Sequence, residues 1–256
     1  MRRAPRGAGK EREAVKKYII PALSILAIWA LASFAANRAF LPAPTTAFIE
    51  FYHEMVKGPL PLHLAISLYR ITAALTLAFI PAFALGVSAG LNPRFDRIVS
   101  PAMYLLYPVP KIALLPVILL FLGLGNLSKI FLIALIVFFQ FYLNFRDEAA
   151  SISPRYFNSL HSLGGNRRDL LRHVIFPALL PRIFSSLRMT LGTAIAVLFM
   201  TETFATSEGI GWYVMDAWAR VSYPQMYAGI IALSLMGLIL FALIDLLQRK
   251  ACKWSL

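Results

Sequence analysis

Two opposite charges, Arg70 and Glu202, lie inside long apolar stretches of the sequence. A charge in the hydrocarbon core of a bilayer is costly, so such residues usually face the bundle interior or a partner. The apolar stretches that contain them run in opposite directions, which places the two residues at a similar depth near one membrane surface. We therefore expect them to face the bundle and to pair. The alternative is that each snorkels separately to the interface.

A third charge, Lys111, lies midway along another apolar stretch, between Pro110 and Pro116. Proline frees backbone carbonyls, which is tolerated at membrane depth where helices line a cavity. We therefore predict that this face lines a path through the membrane, where the ammonium could meet an anionic solute. The alternative is a lysine that snorkels to the cytoplasmic headgroups.

Catalytic patterns are absent from the sequence. It contains no G-x-x-x-x-G-K-[ST] loop for ATP phosphates, no H-E-x-x-H and no C-x-x-C. The four histidines are scattered, and we interpret each as an interfacial residue rather than a metal ligand: His53, His63, His161 and His173. A single cysteine, Cys252, can form no internal disulfide. We expect no enzymatic activity, no metal and no cofactor, so an energy-coupled role needs a separate subunit.

The elements that position these residues are membrane helices, because 59% of the chain is hydrophobic. A hydrocarbon core about 30 Å thick needs about 20 apolar residues per helix. Six stretches qualify: residues 19–36, 64–91, 102–122, 127–145, 183–204 and 226–247. Three prolines make the third the least regular. The first is too long for the apolar region of a cleaved signal peptide.

These stretches predict an all-α membrane protein with six transmembrane helices. We expect one transmembrane domain over residues 19–247, between a basic tail at 1–18 and a second tail at 248–256. The segment between the first two helices reads as an external connection with a short helix over residues 46–56. The segment 205–225 is expected outside as well, with an aromatic belt at the interface.

The net charge of +13 follows the topology and does not indicate nucleic-acid binding. Basic residues cluster before the first span, after the second, between the fourth and fifth, and after the last. The other side carries only Arg38, Lys57 and Arg220, with Lys129 at its edge. This positive-inside pattern places both termini in the cytoplasm. The basic N-terminal tail is expected to lie near anionic lipid headgroups.

The longest polar interruption, residues 146–182, is predicted to form two short helices on the cytoplasmic side. Ser153 is a good N-cap before Pro154, and Gly164 and Gly165 end the first helix where a positive φ is easiest. The second helix begins with a further capping pattern, and a proline leads into the fifth span. The residues of these features are Asn166, Asp169 and Pro177.

This loop is amphipathic, with Tyr156, Leu160 and Leu163 on one helical face. It presents either a docking surface for another subunit or an ordinary hairpin lying on the membrane. Tyr156, Phe157 and Leu160 are the side chains that we expect to press into a partner. Burial against the membrane helices is the alternative for each of them.

The run "SLGGNRRDLLRHVIFPALLP" resembles the cytoplasmic loop of the permease subunits of binding-protein-dependent ABC importers. That family's signature is EAA, three residues, Gly, nine residues, Ile, one residue and Leu-Pro. Gly164 fits the glycine, Val174 the isoleucine, and Phe176 with Pro177 the Leu-Pro. The EAA position falls on residues 158–160, which read Asn-Ser-Leu and depart from the signature.

Two further runs resemble the nitrate, sulfonate and taurine branch of these permeases. They are "YPVPKIALLPVILLFLGLGNLSKIFLIAL" and "TETFATSEGIGWYVMDA". The resemblance implies a coupling helix that docks on a separate cytoplasmic ATPase, an extracytoplasmic substrate-binding protein, and a second permease copy. It also implies the cytoplasmic membrane of a bacterium or archaeon. It makes Arg70, Lys111 and Glu202 candidates for the translocation path or its gate.

Two other classes of function are weighed against this one. A self-contained secondary transporter or channel predicts inverted repeats or several midplane charges, and the sequence shows neither. A membrane-embedded enzyme needs a catalytic constellation that the sequence lacks. The cargo is not named by the sequence, because a separate binding protein largely sets substrate choice in such systems.

Overall fold

The computed structural model describes residues 7–253, with the side chains of residues 7–18, His161 and Arg167 outside the description. Within that part of the chain every regular element is helical. The helices are α1 (Gly7–Ala36), α2 (Pro44–Val56), α3 (Leu60–Leu91), α4 (Pro93–Leu106), α5 (Leu115–Leu122), α6 (Asn126–Ala150), α7 (Pro154–Ser162), α8 (Arg167–Leu170), α9 (Phe176–Glu202), α10 (Ile210–Ala219) and α11 (Tyr223–Ala251).

The predicted all-α membrane fold is confirmed, with one correction to the third span. Five helical stretches of the described chain are long and apolar enough to cross a bilayer, and they lie in α1, in α3, in α6, in α8 together with α9, and in α11. The predicted third span is not one straight helix. It consists of α4, which begins at Pro93, then a 3₁₀ turn and α5, bent by 77° at residues 107–110. Pro108 and Pro110 explain the break, since proline has no N–H for the helical ladder.

The core of the bundle is the packing of α3 against α6. Small residues recur every fourth position along α3: Ala74, Ala78, Ala82, Gly86 and Gly90. At the last two, an added Cβ would meet α6 backbone atoms, the carbonyl oxygens of Tyr142 and Arg146. Small side chains allow this close approach of helices in membranes. Phenylalanines of both helices fill the core beside the stripe.

The first helix lies at the periphery. The described side chains of α1 are all at least partly exposed, and large apolar ones such as Phe34, at 87% exposure, touch little of the chain. Its contacts are at one end, where Trp29 stacks on Tyr227 of α11 with ring centroids 5.4 Å apart. The indole also donates to the carbonyl of Pro42 over 3.1 Å.

The first short helix of the polar loop and its glycine turn form as predicted, but the second short helix is continuous with the fifth span. Ser153 precedes α7, and Gly164 has φ +74° after its end. Asn166 accepts from the backbone N–H of Arg168 and Asp169, while the Asp169 carboxylate accepts from the N–H of Asn166 over 2.9 Å. This is the reciprocal capping box. From α8 the helix continues through a π turn, Leu171–Ile175, into α9.

Candidate functional site

One end of the bundle contains the buried ion pair that the sequence predicts. A guanidinium nitrogen of Arg70 lies 2.8 Å from the Glu202 carboxylate, and their side chains are 2% and 0% exposed. Both residues therefore face the bundle, and separate snorkelling is wrong. Ser67 of α3 also donates to Glu202 over 2.8 Å. We call His63, Ser67, Arg70, Glu202 and the backbone of residues 208–211 the outer network.

The outer network holds the start of α10 through three consecutive backbone N–H groups. Gly209 donates to Nδ1 of His63 over 3.2 Å, Ile210 to Oγ of Ser67 over 2.8 Å, and Gly211 to Glu202 over 2.9 Å. The first N–H groups of a helix lack partners within it. Side chains from α3 and α9 supply the missing acceptors here. A carboxylate at this position also interacts favourably with the positive end of the helix dipole. His63 is thus a buried acceptor and not an interfacial residue.

Two glycines allow the backbone to approach these side chains. Gly209 has φ +103°, and an added Cβ would meet the Glu202 carboxyl group and, at 2.6 Å, a guanidinium nitrogen of Arg70. A Cβ on Gly211 would lie 2.7 Å from the carbonyl oxygen of Phe199. The motif "SEGIG" therefore matches the geometry of the outer network.

Two residues of α6 extend the network. Asn126 accepts from Nε of Arg70 over 2.8 Å. Lys129 is 0% exposed, and its ammonium donates to the carbonyls of Leu124 over 2.7 Å and Ala205 over 3.3 Å. Lys129 was assigned to the edge of this side of the membrane, and its ammonium is buried there because the turn before α6 and the loop after α9 both present carbonyls to it.

Lys111 has a different environment from either predicted one. It is 9% exposed, and its ammonium donates to the carbonyls of Leu106 over 2.8 Å and Tyr107 over 2.9 Å. The ammonium also lies 4.2 Å from the ring centroid of Phe139. The bend leaves carbonyls at the end of α4 without helical partners, and this lysine binds them. It neither snorkels to headgroups nor presents a free ammonium to a solute.

A polar groove lies beside this bend, along α6 and α9. A cavity of about 230 Å³ is lined by Tyr107, Gln140, Leu143, Asn144, Met189, Thr190 and Thr193. Gln140 donates to Thr193 over 3.3 Å, and the Thr190 hydroxyl is buried without a partner among the described residues. Sequence analysis missed the groove, although Gln140 and Asn144 are four residues apart in an apolar span, the spacing of one helical face.

The loop at the other end divides into exposed and covered side chains. Tyr156 and Leu163 are 63% and 83% exposed. Phe157 instead packs against the hydrophobic core of the helix bundle. For this residue the alternative, burial against the membrane helices, is confirmed. Leu160 is half-buried and faces Gly165, where an added Cβ would lie 2.6 Å from its Cγ.

Sequence analysis also missed an ion pair at this end. Arg146 at the end of α6 makes two hydrogen bonds to Asp96 of α4, at 2.9 and 2.6 Å. Ser100 joins the pair by donating to Asp96, and lies 2.9 Å from the hydroxyl of Tyr142. From the sequence, Arg146 was interpreted only as part of the positive-inside pattern. No local signal connects it to Asp96, which lies 50 residues away.

The family model for the inner membrane component of binding-protein-dependent transport systems matches residues 82–252. The chain belongs to this family. The family assignment confirms the expected class of function, a multi-pass permease subunit of a binding-protein-dependent importer. It also accounts for the resemblance of the loop, since the match includes all of residues 146–182.

Three relatives match between 75% and 94% of the chain. It is 31% identical to a Bacillus subtilis protein named for aliphatic sulfonate transport, over 94% of this chain and 87% of the relative. It is 33% identical to the taurine transport permease of Escherichia coli, over 75% and 70%. A formylaminopyrimidine transport permease of Halalkalibacterium halodurans is 25% identical over 91% and 93%.

The fold of the permease is also found in a solved structure. A chain of the MetNI methionine ABC transporter, crystallised in inward-facing conformations, superposes with a TM-score of 0.65. The match covers 79% of this chain and 99% of that chain at 17% sequence identity. At this identity the likeness concerns the fold alone.

Proposed function

We propose that this permease imports small organic anions of the sulfonate class, as one of two transmembrane subunits and most simply as a homodimer. Cytoplasmic ATPase subunits drive it, and an extracytoplasmic binding protein delivers the cargo. The observation that carries the substrate class is the pair of relatives named for aliphatic sulfonates and taurine, at 31% and 33% identity. Taurine is itself a sulfonate, so the two names describe one chemistry.

The polar groove is the proposed lining of the path, with each copy supplying one side. Its amide and hydroxyl groups can donate hydrogen bonds to sulfonate oxygens. In this structure the amide of Asn144 donates to the hydroxyl of Ser186 over 2.9 Å. Uncharged donors without a fixed cation bind an anion weakly, which suits passage rather than capture. Lys111 acts on this path indirectly. It binds the carbonyl of Tyr107, whose side chain lines the groove.

The outer network is the proposed gate at the extracytoplasmic end. It fastens the loop 203–209 and α10 to α3, using Arg70 and Glu202 as the buried contact. Separating a buried charge pair costs free energy, because each charge that loses its partner stays buried without a counter-charge. Such a contact favours two discrete arrangements of the loop, held or released, over a continuum of positions.

The loop 146–182 is the proposed ATPase contact, with both termini on the same cytoplasmic side. Tyr156 and Leu163 supply the exposed apolar surface, and Leu160, Gly164, Gly165 and Pro177 set its shape. Gly164→Glu should leave the protein inserted while lowering ATPase recruitment and transport together. The residue sits at φ +74° with nothing within 4 Å of an added Cβ, so strain and charge, not a clash, cause the effect. Normal transport by stably inserted G164E would contradict the docking assignment.

The substrate class is tested with the complete importer in proteoliposomes. The measurement is ATPase stimulation by the binding protein loaded with taurine, an alkanesulfonate, nitrate or formylaminopyrimidine. We expect the two sulfonates to stimulate and the pyrimidine not to. Stimulation by formylaminopyrimidine alone would reject the sulfonate assignment while leaving the importer mechanism in place. That outcome is the second candidate, favoured by the relative at 25% identity.

A further inference from the structure

One turn of α2 brings together three side chains that can bind a metal ion. Glu50, His53 and Glu54 each offer one ligand atom, and these atoms all lie within 4.8 Å of one another. The spacing i, i+3, i+4 places them on one face of the helix. Neither the proposed path nor the ATPase contact uses them.

Glu54 is a buried carboxylate for which the described chain supplies no lysine or arginine. The residue is 5% exposed. It accepts a hydrogen bond from the amide of Gln225 over 3.0 Å, and its ion-pair contact within the described residues is His53, at 3.9 Å. Burying an ionised carboxylate is expensive unless a positive charge accompanies it. Glu202, which is equally buried, has Arg70 for this purpose, and Glu54 lacks such a partner.

Oε1 of Gln225, beside Glu54, is buried without a hydrogen bond among the described residues. The hydroxyl of Tyr213 is buried beside the same carboxylate, which is its nearest hydrogen-bond acceptor. Tyr213 is 3% exposed. Its burial, and after that the neighbouring Glu54 carboxylate, raise the pKa of Tyr213. The hydroxyl therefore lies close to the carboxylate. This pocket contains more oxygen acceptors than donors, which is the environment of a cation.

We propose that Glu50, His53 and Glu54 bind one divalent transition-metal ion, Zn²⁺ by preference, at the end of the bundle that contains the outer network. One imidazole nitrogen and two carboxylate oxygens are a ligand set that suits Zn²⁺, at about 2.0–2.2 Å per bond. Mg²⁺ and Ca²⁺ prefer oxygen alone. The His53 side chain is 57% exposed, so it can rotate inward to complete the site.

The ion would fix α2 against its neighbours at this end. Gln225, which orients the Glu54 carboxylate, belongs to α11, and Tyr213 belongs to α10. Groups that hydrogen-bond to a ligating carboxylate orient it and raise metal affinity. Zinc binding is therefore expected to stabilise the junction of α2, α10 and α11, and through α10 the outer network.

The test uses full-length, tag-free protein in nanodiscs after treatment with a chelator. Isothermal titration with ZnCl₂ should show one site that MgCl₂ does not fill, and Tm should rise with Zn²⁺. His53→Ala and Glu50→Gln change exposed or half-buried side chains, so both variants should fold and lose the site. The matched control is His173→Ala, which removes an exposed histidine from the loop and should bind Zn²⁺ as the parent does.

Several outcomes overturn the proposal. One is the absence of a titratable site in the parent protein. Another is undiminished zinc binding by H53A, which would assign the ion to other residues. A third is an unchanged Tm of the parent protein when ZnCl₂ is added. A loss of zinc binding in E50Q and H53A together, with H173A unchanged, supports it.

Discussion

The outer network and the loop 146–182 differ in the burial of their side chains. In the outer network, Arg70, Glu202 and Ser67 are buried and bind one another or the backbone of α10. In the loop, Tyr156 and Leu163 are exposed apolar side chains that the chain does not cover. Exposed apolar surface of this kind marks a contact with a partner. The side chains of the outer network find their partners within the chain, whereas the exposed side chains of the loop fit the proposed contact with the ATPase.

The largest effect is expected from breaking the outer network at Glu202. Glu202→Gln leaves the buried Arg70 without a counter-charge and should lower the free energy of unfolding by about 3–5 kcal/mol. The matched control is Asp245→Asn, which breaks partly exposed pairs with Arg188 and Arg249 and should cost about 1 kcal/mol or less. Thermal unfolding in detergent measures both. Equal stability of the two variants would contradict the importance of burial.

Exchanging the two charges is a weaker test than it looks from the sequence. Glu202 also accepts hydrogen bonds from Ser67 and from the N–H of Gly211. An arginine at that position would face donors instead of acceptors, so the exchanged protein should remain impaired even though the residues pair. Replacing both by apolar residues of similar volume is the better double variant.

A smaller loss of stability is expected from Gly209→Ala, and Gly123→Ala is its control. Both glycines have positive φ, +103° and +75°, but only Gly209 has side chains where a Cβ would be. Alanine at either costs about 1–3 kcal/mol of backbone strain. Only Gly209→Ala should also displace the loop from Arg70 and Glu202. We expect faster thiol labelling of a Ser207→Cys reporter, in a Cys252→Ser background, in G209A but not in G123A. Equal labelling would show that strain alone matters.

Two neighbouring aromatic residues of the loop 146–182 can separate the proposed docking on the ATPase from the stability of the fold. Tyr156→Ala should weaken ATPase association about tenfold, as expected for loss of one exposed anchor, with Tm unchanged. Phe157→Ala should lower Tm, because that ring packs against the hydrophobic core of the helix bundle. Co-purification with the ATPase and thermal unfolding measure the two effects. A fall in Tm for Y156A, or unchanged Tm for F157A, would reverse the assignment.

Much of the loop was predictable from the sequence because its signals are local. The pairing of Asn166 with Asp169 and the positive φ of Gly164 depend on residues within a few positions. The pairing of Arg70 with Glu202 was predictable for another reason, the cost of an isolated charge in a membrane. That argument needs depth alone and no knowledge of neighbours.

The missed features depend on tertiary geometry, either a bend in the chain or a partner across the bundle. Lys111 was expected to face water or lipid, but the carbonyls at the α4 bend receive its ammonium. Glu54 and Gln225 are 171 residues apart, and nothing in either segment indicates the other. The Asp96 and Arg146 pair is of the same kind. Charge was assigned by side of the membrane, which does not determine the partner.

The smallest effect is expected in the polar groove, and its sign should differ between two measurements. Thr190→Val replaces a buried hydroxyl that lacks a partner among the described residues with a methyl group. Removing such a group is neutral or stabilises by about 1 kcal/mol. If the groove lines the path, transport in proteoliposomes should fall severalfold while Tm stays equal or rises. Unchanged transport in T190V would remove this residue from the lining.

The glycines of α3 have a mechanical consequence. At Gly86 and Gly90, the backbones of α3 and α6 meet without side chains between them, so there is no compressible layer at that crossing. Arg70 lies 20 residues before Gly90, about 30 Å along the helix axis at 1.5 Å per residue, which is the thickness of the hydrocarbon core. We therefore expect α3 and α6 to move together at this crossing, with Pro81 as the one interruption of the α3 hydrogen-bond ladder between Arg70 and Gly90. A tilt imposed near Arg146 would reach the other membrane surface with little loss of amplitude.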